Sequence, residues 1–143
     1  MDFKKELREA IVACDKVIGR LDSAIDAINS AQGWGLLDLV GGKFFMTFFK
    51  RRKIAKAENE IVKAKKDIEN LNSELADLKA YVDIDFETGG LLGFLDYFFG
   101  GSIADFLVLS KLGSAKKKIQ SAKTRVLEIK IDLEDLLAKE LAR

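Results

Sequence analysis

Apolar residues recur at alternating spacings of three and four along most of this 143-residue chain, the pattern of amphipathic helices that pack on one another. We predict three long helices, running from about Asp2 to Ser30, from about Lys43 to Val82, and from about Ser102 to Leu141. Asp2 is expected to cap the first helix and Gly33 to end it. The predicted fold class is therefore all-α, with three long helices in an antiparallel coiled-coil-like bundle.

The apolar positions of each helix fit a heptad in which positions a and d are apolar. The first helix has Leu7, Ile11, Cys14, Ile18, Leu21, Ile25 and Ile28 at these positions. The second has Ile54, Ala57, Ile61, Ala64, Ile68, Leu71, Leu75, Leu78 and Val82, and the third has Leu112, Ala115, Ile119, Ala122, Val126, Ile129, Leu133 and Leu136. The third helix thus repeats the second, with small d residues early and large ones late.

Two apolar, glycine-rich connectors precede the second and third helices. In the first we read Trp34 to Val40 as a short helical turn that Gly41-Gly42 breaks; the second runs from Leu91 to Gly101. Each contains one Asp in an apolar run, then a Gly-Gly pair, then a charged helix. We interpret this as an internal duplication within one domain (1–143), with repeat units at about 33–82 and 91–141.

Aromatic residues are concentrated in and beside these connectors, although connections between helices are usually polar. The candidate interaction surface consists of Trp34, Asp38, Phe44, Phe45, Phe48, Phe49, Arg51, Arg52, Phe94, Asp96, Tyr97, Phe98, Phe99 and Phe106. Two interpretations remain open: the aromatic residues pack in the protein, within one chain or across a dimer, or they enter a membrane surface beside Lys and Arg clusters. Acidic residues within the connectors disfavour deep insertion, so packing is the preferred interpretation.

Charge is graded along the second and third helices, which begin basic and end acidic. This order opposes the helix macrodipole, so we expect a partner helix to compensate it. An antiparallel neighbour would do so, and we predict that the second helix packs antiparallel to the first and the third. Simple up-down-up threading then places the connectors at opposite ends, and a two-fold dimer would bring a first connector beside a second one.

The residues that usually carry catalysis are scarce. The sequence has no His, and its single Cys, Cys14, occupies an apolar d position that favours a role in the core. No glycine-rich loop matches a phosphate-binding pattern. Asp38 and Asp96 occupy matching places in the two connectors, and we interpret them as helix caps or partners of basic residues rather than a catalytic dyad. We therefore expect no enzyme, no cofactor and no metal.

The remaining features concern partners and location. The net charge of +1 does not favour nucleic acid, and we expect the clusters at 50–53 and 116–118 to pair with acidic helix halves instead. The mixed-charge N-terminus and the lack of a long uncharged apolar window predict a cytoplasmic protein, with a membrane-peripheral location as the alternative. We expect a non-enzymatic interaction or scaffold protein that acts through protein–protein contacts, including self-association as a homo-oligomer. The alternative is a peripheral membrane protein.

Overall fold

The residues that the structure describes form long α-helices. The structure is a computed structural model that describes the backbone of residues 2–38, 43–82, 91 and 112–143, and the side chains of 2–31, 52–82, 91 and 112–143. The helices are α1 (Phe3–Asp38), α2 (Lys43–Leu78) and α3 (Leu112–Leu141). The predicted all-α class is confirmed.

The observed helix ends differ in part from the predicted ones. The Lys4 amide donates a hydrogen bond to Asp2 Oδ1 at 3.0 Å, so the predicted N-cap is confirmed. The prediction that Gly33 ends the first helix is wrong, because α1 continues to Asp38. A glycine inside a helix costs only about 1 kcal/mol relative to alanine, and each added residue gains a further helical hydrogen bond.

The second helix is about one turn shorter than predicted. It ends at Leu78, whose carbonyl accepts hydrogen bonds from the amides of Tyr81 at 3.0 Å and Val82 at 3.2 Å in the turn that follows. The first predicted connector is partly wrong as well, since its residues 34–38 belong to α1. Its remainder, residues 39–42, and the predicted helical segment 102–111 lie outside the described residues. Of the second connector the structure describes Leu91, which is buried.

The buried face of α1 is wider than a single pair of heptad positions. Its predicted d residues are all buried, but the predicted a residues Ile11, Ile18 and Ile25 are only partly buried beside the core. The buried apolar positions that the heptad pattern missed are Ala10, Ala13, Val17, Ala24, Ala27 and Ala31. Helix α1 packs against both α2 and α3, so it must bury a broad stripe, and small residues let two helices approach it closely.

The predicted core positions of α2 and α3 are borne out almost throughout. The fully buried residues are Ala57, Ile61, Ala64, Ile68, Leu71, Leu75 and Leu78 in α2, and Leu112, Ala115, Ile119, Ala122, Val126, Ile129 and Leu133 in α3. The predicted positions Ile54, Val82 and Leu136, at the ends of these rows, are partly buried, and Val82 lies beyond the end of α2. The spacing of three and four residues predicts the buried residues of both helices, because each helix packs with a single face in the core.

Contacts between α1 and α2 show the relative direction of the two helices. Phe3 near the start of α1 stacks on Tyr81 just beyond α2, with ring centroids 5.2 Å apart. Further along α1, Arg20 contacts earlier residues of α2: its Nε lies 3.1 Å from Asp67 Oδ2, and its guanidinium lies 3.6 Å from Glu60 Oε2. Residue numbers rise along α1 as they fall along α2, so the two helices are antiparallel.

Contacts between α1 and α3 show that these two helices also run in opposite directions. Lys130 Nζ lies 2.7 Å from Asp15 Oδ1, and Lys123 Nζ lies 2.7 Å from Asp22 Oδ1. Helix α3 is therefore also antiparallel to α1, and α2 and α3 run in the same direction. The prediction that the second helix runs antiparallel to the third is wrong, because the oppositely charged partners of both helices are on α1.

This arrangement also corrects the predicted threading. Helices α2 and α3 both begin beside the C-terminal half of α1, whereas up-down-up threading would start them at opposite ends. Val82 follows Tyr81 beside the start of α1, and Leu112 lies at the other end. Val82 and Leu112 therefore lie beside opposite ends of α1.

Candidate interaction surfaces

The predicted interaction residues fall into two groups in the structure. Helix α1 contains Trp34 and Asp38, and helix α2 contains Phe44, Phe45, Phe48, Phe49, Arg51 and Arg52. Of these, the structure describes the side chain of Arg52, which is exposed. Phe94, Asp96, Tyr97, Phe98, Phe99 and Phe106 lie outside the described residues. The first group occupies the helical hairpin at the end of the bundle where α2 begins.

Basic side chains of α2 and α3 are brought together at that same end. We call this surface the basic end; its residues are Arg52, Lys53, Lys56, Lys116, Lys117 and Lys118. Because α2 and α3 run in the same direction, the basic beginnings of both helices lie beside the C-terminal half of α1.

Helix α1 compensates part of the charge further along the bundle. Asp22 pairs with Lys123, and Asp15 pairs with Lys130, whose side chain also lies 3.7 Å from Glu134. The hydrogen bond to Asp15 raises the pKa of Lys130, because it stabilises the ammonium form. These pairs join α1 and α3 in the middle of the bundle, and they do not involve the clusters at 50–53 and 116–118 for which pairing was predicted.

An uncharged strip follows one side of α3. It consists of Gln120, Thr124, Leu127 and Ile131, which recur at spacings of three and four and are all exposed. Leu127 is 39% exposed and Ile131 is 58% exposed. A groove of about 710 Å³ lies beside the strip and is lined by Asp22, Ile25, Asp26, Gln120, Lys123, Thr124 and Leu127. Exposed apolar side chains in an uncharged row are suited to contact with another protein.

Three carboxylates meet at the opposite end, between α1 and α2. Glu6 and Glu9 are neighbours on one face of α1, and Glu74 approaches from α2, with carboxylate oxygens of the three residues within 4.8 Å of one another. Glu6 is 7% exposed, Glu74 is partly buried and Glu9 is exposed. Burial, together with the negative charges of Glu9, Glu6 and Asp77, raises the pKa of Glu74. We call this cluster the carboxylate triad.

Cys14 has the environment that the heptad pattern predicts. It is fully buried, and burial raises the pKa of its thiol to about 12, with a further contribution from the charge of Asp15. A thiol with this pKa is protonated at neutral pH and cannot supply the thiolate that acts as a nucleophile or binds metal. Cys14 therefore serves as a core residue.

The carboxylate triad and the uncharged strip were missed from sequence. Glu6 and Glu9 could be paired from their spacing, but Glu74 lies 65 residues beyond Glu9 and joins them only through the packing of α2 on α1. The strip has a signal in the sequence, since no charged residue stands at positions 120, 124, 127 and 131. That signal is short and becomes meaningful only when the same face is found exposed.

Comparison with protein-family models, with curated proteins and with solved structures finds no match to this chain. Within the described ranges, no helix combines the length and the apolar character that crossing a membrane requires.

Proposed function

We propose that this protein is a non-enzymatic helical interaction protein that acts through protein–protein contacts, including association with a second copy of itself. The observation that carries the proposal is the uncharged strip of α3, where Leu127 and Ile131 are exposed side by side on one face. Their burial in a contact would remove apolar area from water, which is the main favourable term in association. The lack of His and the burial of Cys14 also agree with a protein that does no chemistry.

The proposal is tested by the dependence of molar mass on concentration. Light scattering from micromolar to high micromolar concentration is expected to show growth from monomer to dimer. Ile131→Glu should return the protein to a monomer, since it places a charge in the contact. Val62→Glu is the matched control, because Val62 is similarly exposed on α2 away from the strip. A monomer at every concentration, or equal loss of dimer in both variants, would exclude self-association through the strip.

A second candidate function is binding to an anionic membrane surface through the basic end. It is favoured by the shared direction of α2 and α3, which places six basic residues at the end where α1 and α2 form the hairpin containing Trp34 and four Phe residues. Basic residues beside aromatic ones are typical of proteins that bind anionic lipid at the membrane interface. Cytoplasmic location with association at the membrane surface is part of this proposal.

Vesicle binding separates the two candidates. Vesicles of phosphatidylcholine mixed with phosphatidylserine should bind the protein, and pure phosphatidylcholine should not, with binding lost at high salt. Each basic residue near such a surface contributes about 1 kcal/mol. Replacing Lys56, Lys116 and Lys117 by Gln should therefore weaken binding about a hundredfold. The control removes the same charge at the other end, from Lys4, Lys5 and Lys139. Equal weakening in both variants would exclude the basic end as the binding surface.

We also propose the finer description of the fold, an antiparallel coiled-coil-like bundle whose second and third helices arose by internal duplication. It is supported by the two rows of buried residues, which match position for position from Ala57 with Ala115 to Leu75 with Leu133. The common direction of α2 and α3 relative to α1 agrees with it. In this description, α1 is a single helix on which two copies of the same unit pack.

A further inference from the structure

The uncharged strip of α3 has two unlike halves. Its first half, Gln120 and Thr124, is polar and lines the groove, which Ile25 of α1 lines as well. Its second half consists of Leu127 and Ile131, the exposed apolar side chains, and Leu127 lies where the two halves meet. A surface with an apolar half and a groove half fits a copy of itself when each half meets the other half of the copy.

Two copies can meet along the strip with their α3 helices parallel or antiparallel. The parallel arrangement places each half of the strip against the same half of the partner, so groove faces groove. The strip has spacings of four, three and four residues, which are the same in both directions. In the antiparallel arrangement, Thr124 therefore lies opposite the partner's Leu127, and Gln120 lies opposite the partner's Ile131. The apolar half of each copy then covers the groove of the other.

The charged residues that bound the strip favour the antiparallel arrangement. Lys117 precedes Gln120 by three residues and Glu134 follows Ile131 by three, and both charged side chains are exposed. Antiparallel helices place Lys117 opposite the partner's Glu134 at both ends of the contact, whereas parallel helices place like charges together. Glu134 Oε1 lies 3.7 Å from Lys130 Nζ of its own chain, but the Glu134 side chain is 52% exposed and stays accessible to a partner.

The lysines beside the strip, on the side of α1, are compensated within each chain. Lys123 Nζ lies 2.7 Å from Asp22 Oδ1, and Lys130 Nζ lies 2.7 Å from Asp15 Oδ1. These carboxylates reduce the repulsion between the lysines of two copies that meet along the strip. The charges that distinguish the two arrangements are therefore those at the ends of the strip.

We propose that the strip binds a second copy of this chain with the two α3 helices antiparallel. Leu127 and Ile131 of each copy cover the groove of the other, and Lys117 of each copy pairs with the partner's Glu134. This inference rests on the proposed self-association and adds the direction and the register of the contact. Burial of the apolar half provides the affinity, and the charged ends determine the orientation.

Reversal of the end charges tests the orientation. Sedimentation equilibrium of the full chain gives the Kd of the dimer for the parent, for Lys117→Glu, for Glu134→Lys and for the double variant. Each single reversal replaces two attractive pairs of an antiparallel dimer by two repulsive ones, so the Kd should rise about tenfold or more. The double variant restores opposite charges at both ends, so its Kd should return to within about threefold of that of the parent. In a parallel dimer, like charges face each other in all four proteins, and the Kd should not change in this pattern.

Lys139→Glu and Asp132→Lys are the matched controls. They make the same two charge reversals at exposed positions of α3 outside the strip, and they should leave the Kd within about twofold of that of the parent. Thermal unfolding shows whether each variant is folded. A difference between the strip variants and these controls, with recovery in the double variant, is the result expected for antiparallel helices.

The failure of the orientation and the failure of self-association give different results. A parent that stays monomeric at every concentration would overturn both. A parent that dimerises, and that Ile131→Glu returns to a monomer, supports self-association through the strip. If the single reversals of that dimer then behave like the controls, or the double variant does not recover, the antiparallel orientation alone is overturned.

Discussion

The two ends of the bundle share one pattern of apolar residues but differ in the sign of their charged residues. The basic end holds basic residues from the beginnings of α2 and α3; at the other end, carboxylates of α1 and α2 form the triad. Between the two ends, opposite charges pair across α1, as Asp22 does with Lys123. The buried apolar rows therefore continue from one end to the other, whereas the charge of the surface changes between the ends.

The largest expected effects test whether both ends share one core. Ile61→Ala toward the basic end and Leu75→Ala toward the carboxylate triad should each lower the free energy of unfolding by about 2–5 kcal/mol, since both side chains are buried. Denaturant unfolding measures this. Val62→Ala is the control: Val62 is 48% exposed, and its truncation should change the free energy by less than about 0.5 kcal/mol. A small cost for Leu75→Ala alone would mean that the core ends before the triad.

A smaller effect tests the direction of α3. That direction determines whether the basic beginnings of α2 and α3 lie at the same end of the bundle. Asp22→Lys and Lys123→Asp should each destabilise the protein, and the double variant should recover part of the loss. The expected coupling energy is about 0.2–1 kcal/mol, because both side chains are partly exposed. Pairing Lys123→Asp with Asp2→Lys gives a control without contact. Zero coupling for the 22–123 pair would contradict the antiparallel packing of α1 and α3.

The smallest effect concerns the carboxylate triad. The pKa of Glu74 is raised in the folded protein, so the folded state holds this proton more tightly than the unfolded state does. Its contribution to stability therefore falls as pH rises from the ordinary glutamate pKa through the raised one. At neutral pH, Glu74→Gln should be more stable than the parent by a few tenths of a kcal/mol, as expected for relief of like-charge repulsion.

The difference between Glu74→Gln and the parent should vanish in acid, where Glu74 is protonated in both the folded and the unfolded state. Unfolding in urea across this pH range measures it. The opposite pH dependence, in which Glu74→Gln is more stable than the parent in acid but not at neutral pH, would contradict the raised pKa of Glu74.

Local pattern accounts for what could be predicted of the fold. The buried rows of α2 and α3 follow from a period of 3.6 residues, and the placement of Cys14 in the core follows from its apolar neighbours at the same spacing. Asp2 could be recognised as a cap because its hydrogen bond to Lys4 spans two residues. The end of α1 could not be predicted in the same way, since glycine is tolerated inside a helix when the residues around it continue the hydrogen bonding.

What the sequence by itself determined is the all-α class, the three long helices, and which faces of α2 and α3 are buried, since these depend on residues a few positions apart. The tertiary structure alone decided that α2 and α3 run in the same direction, that α1 buries two faces, and that Glu74 joins Glu6 and Glu9. Either direction of α3 buries the same apolar row, so hydrophobic periodicity cannot distinguish them. The direction depends on contacts between residues far apart in the chain, such as Lys130 with Asp15.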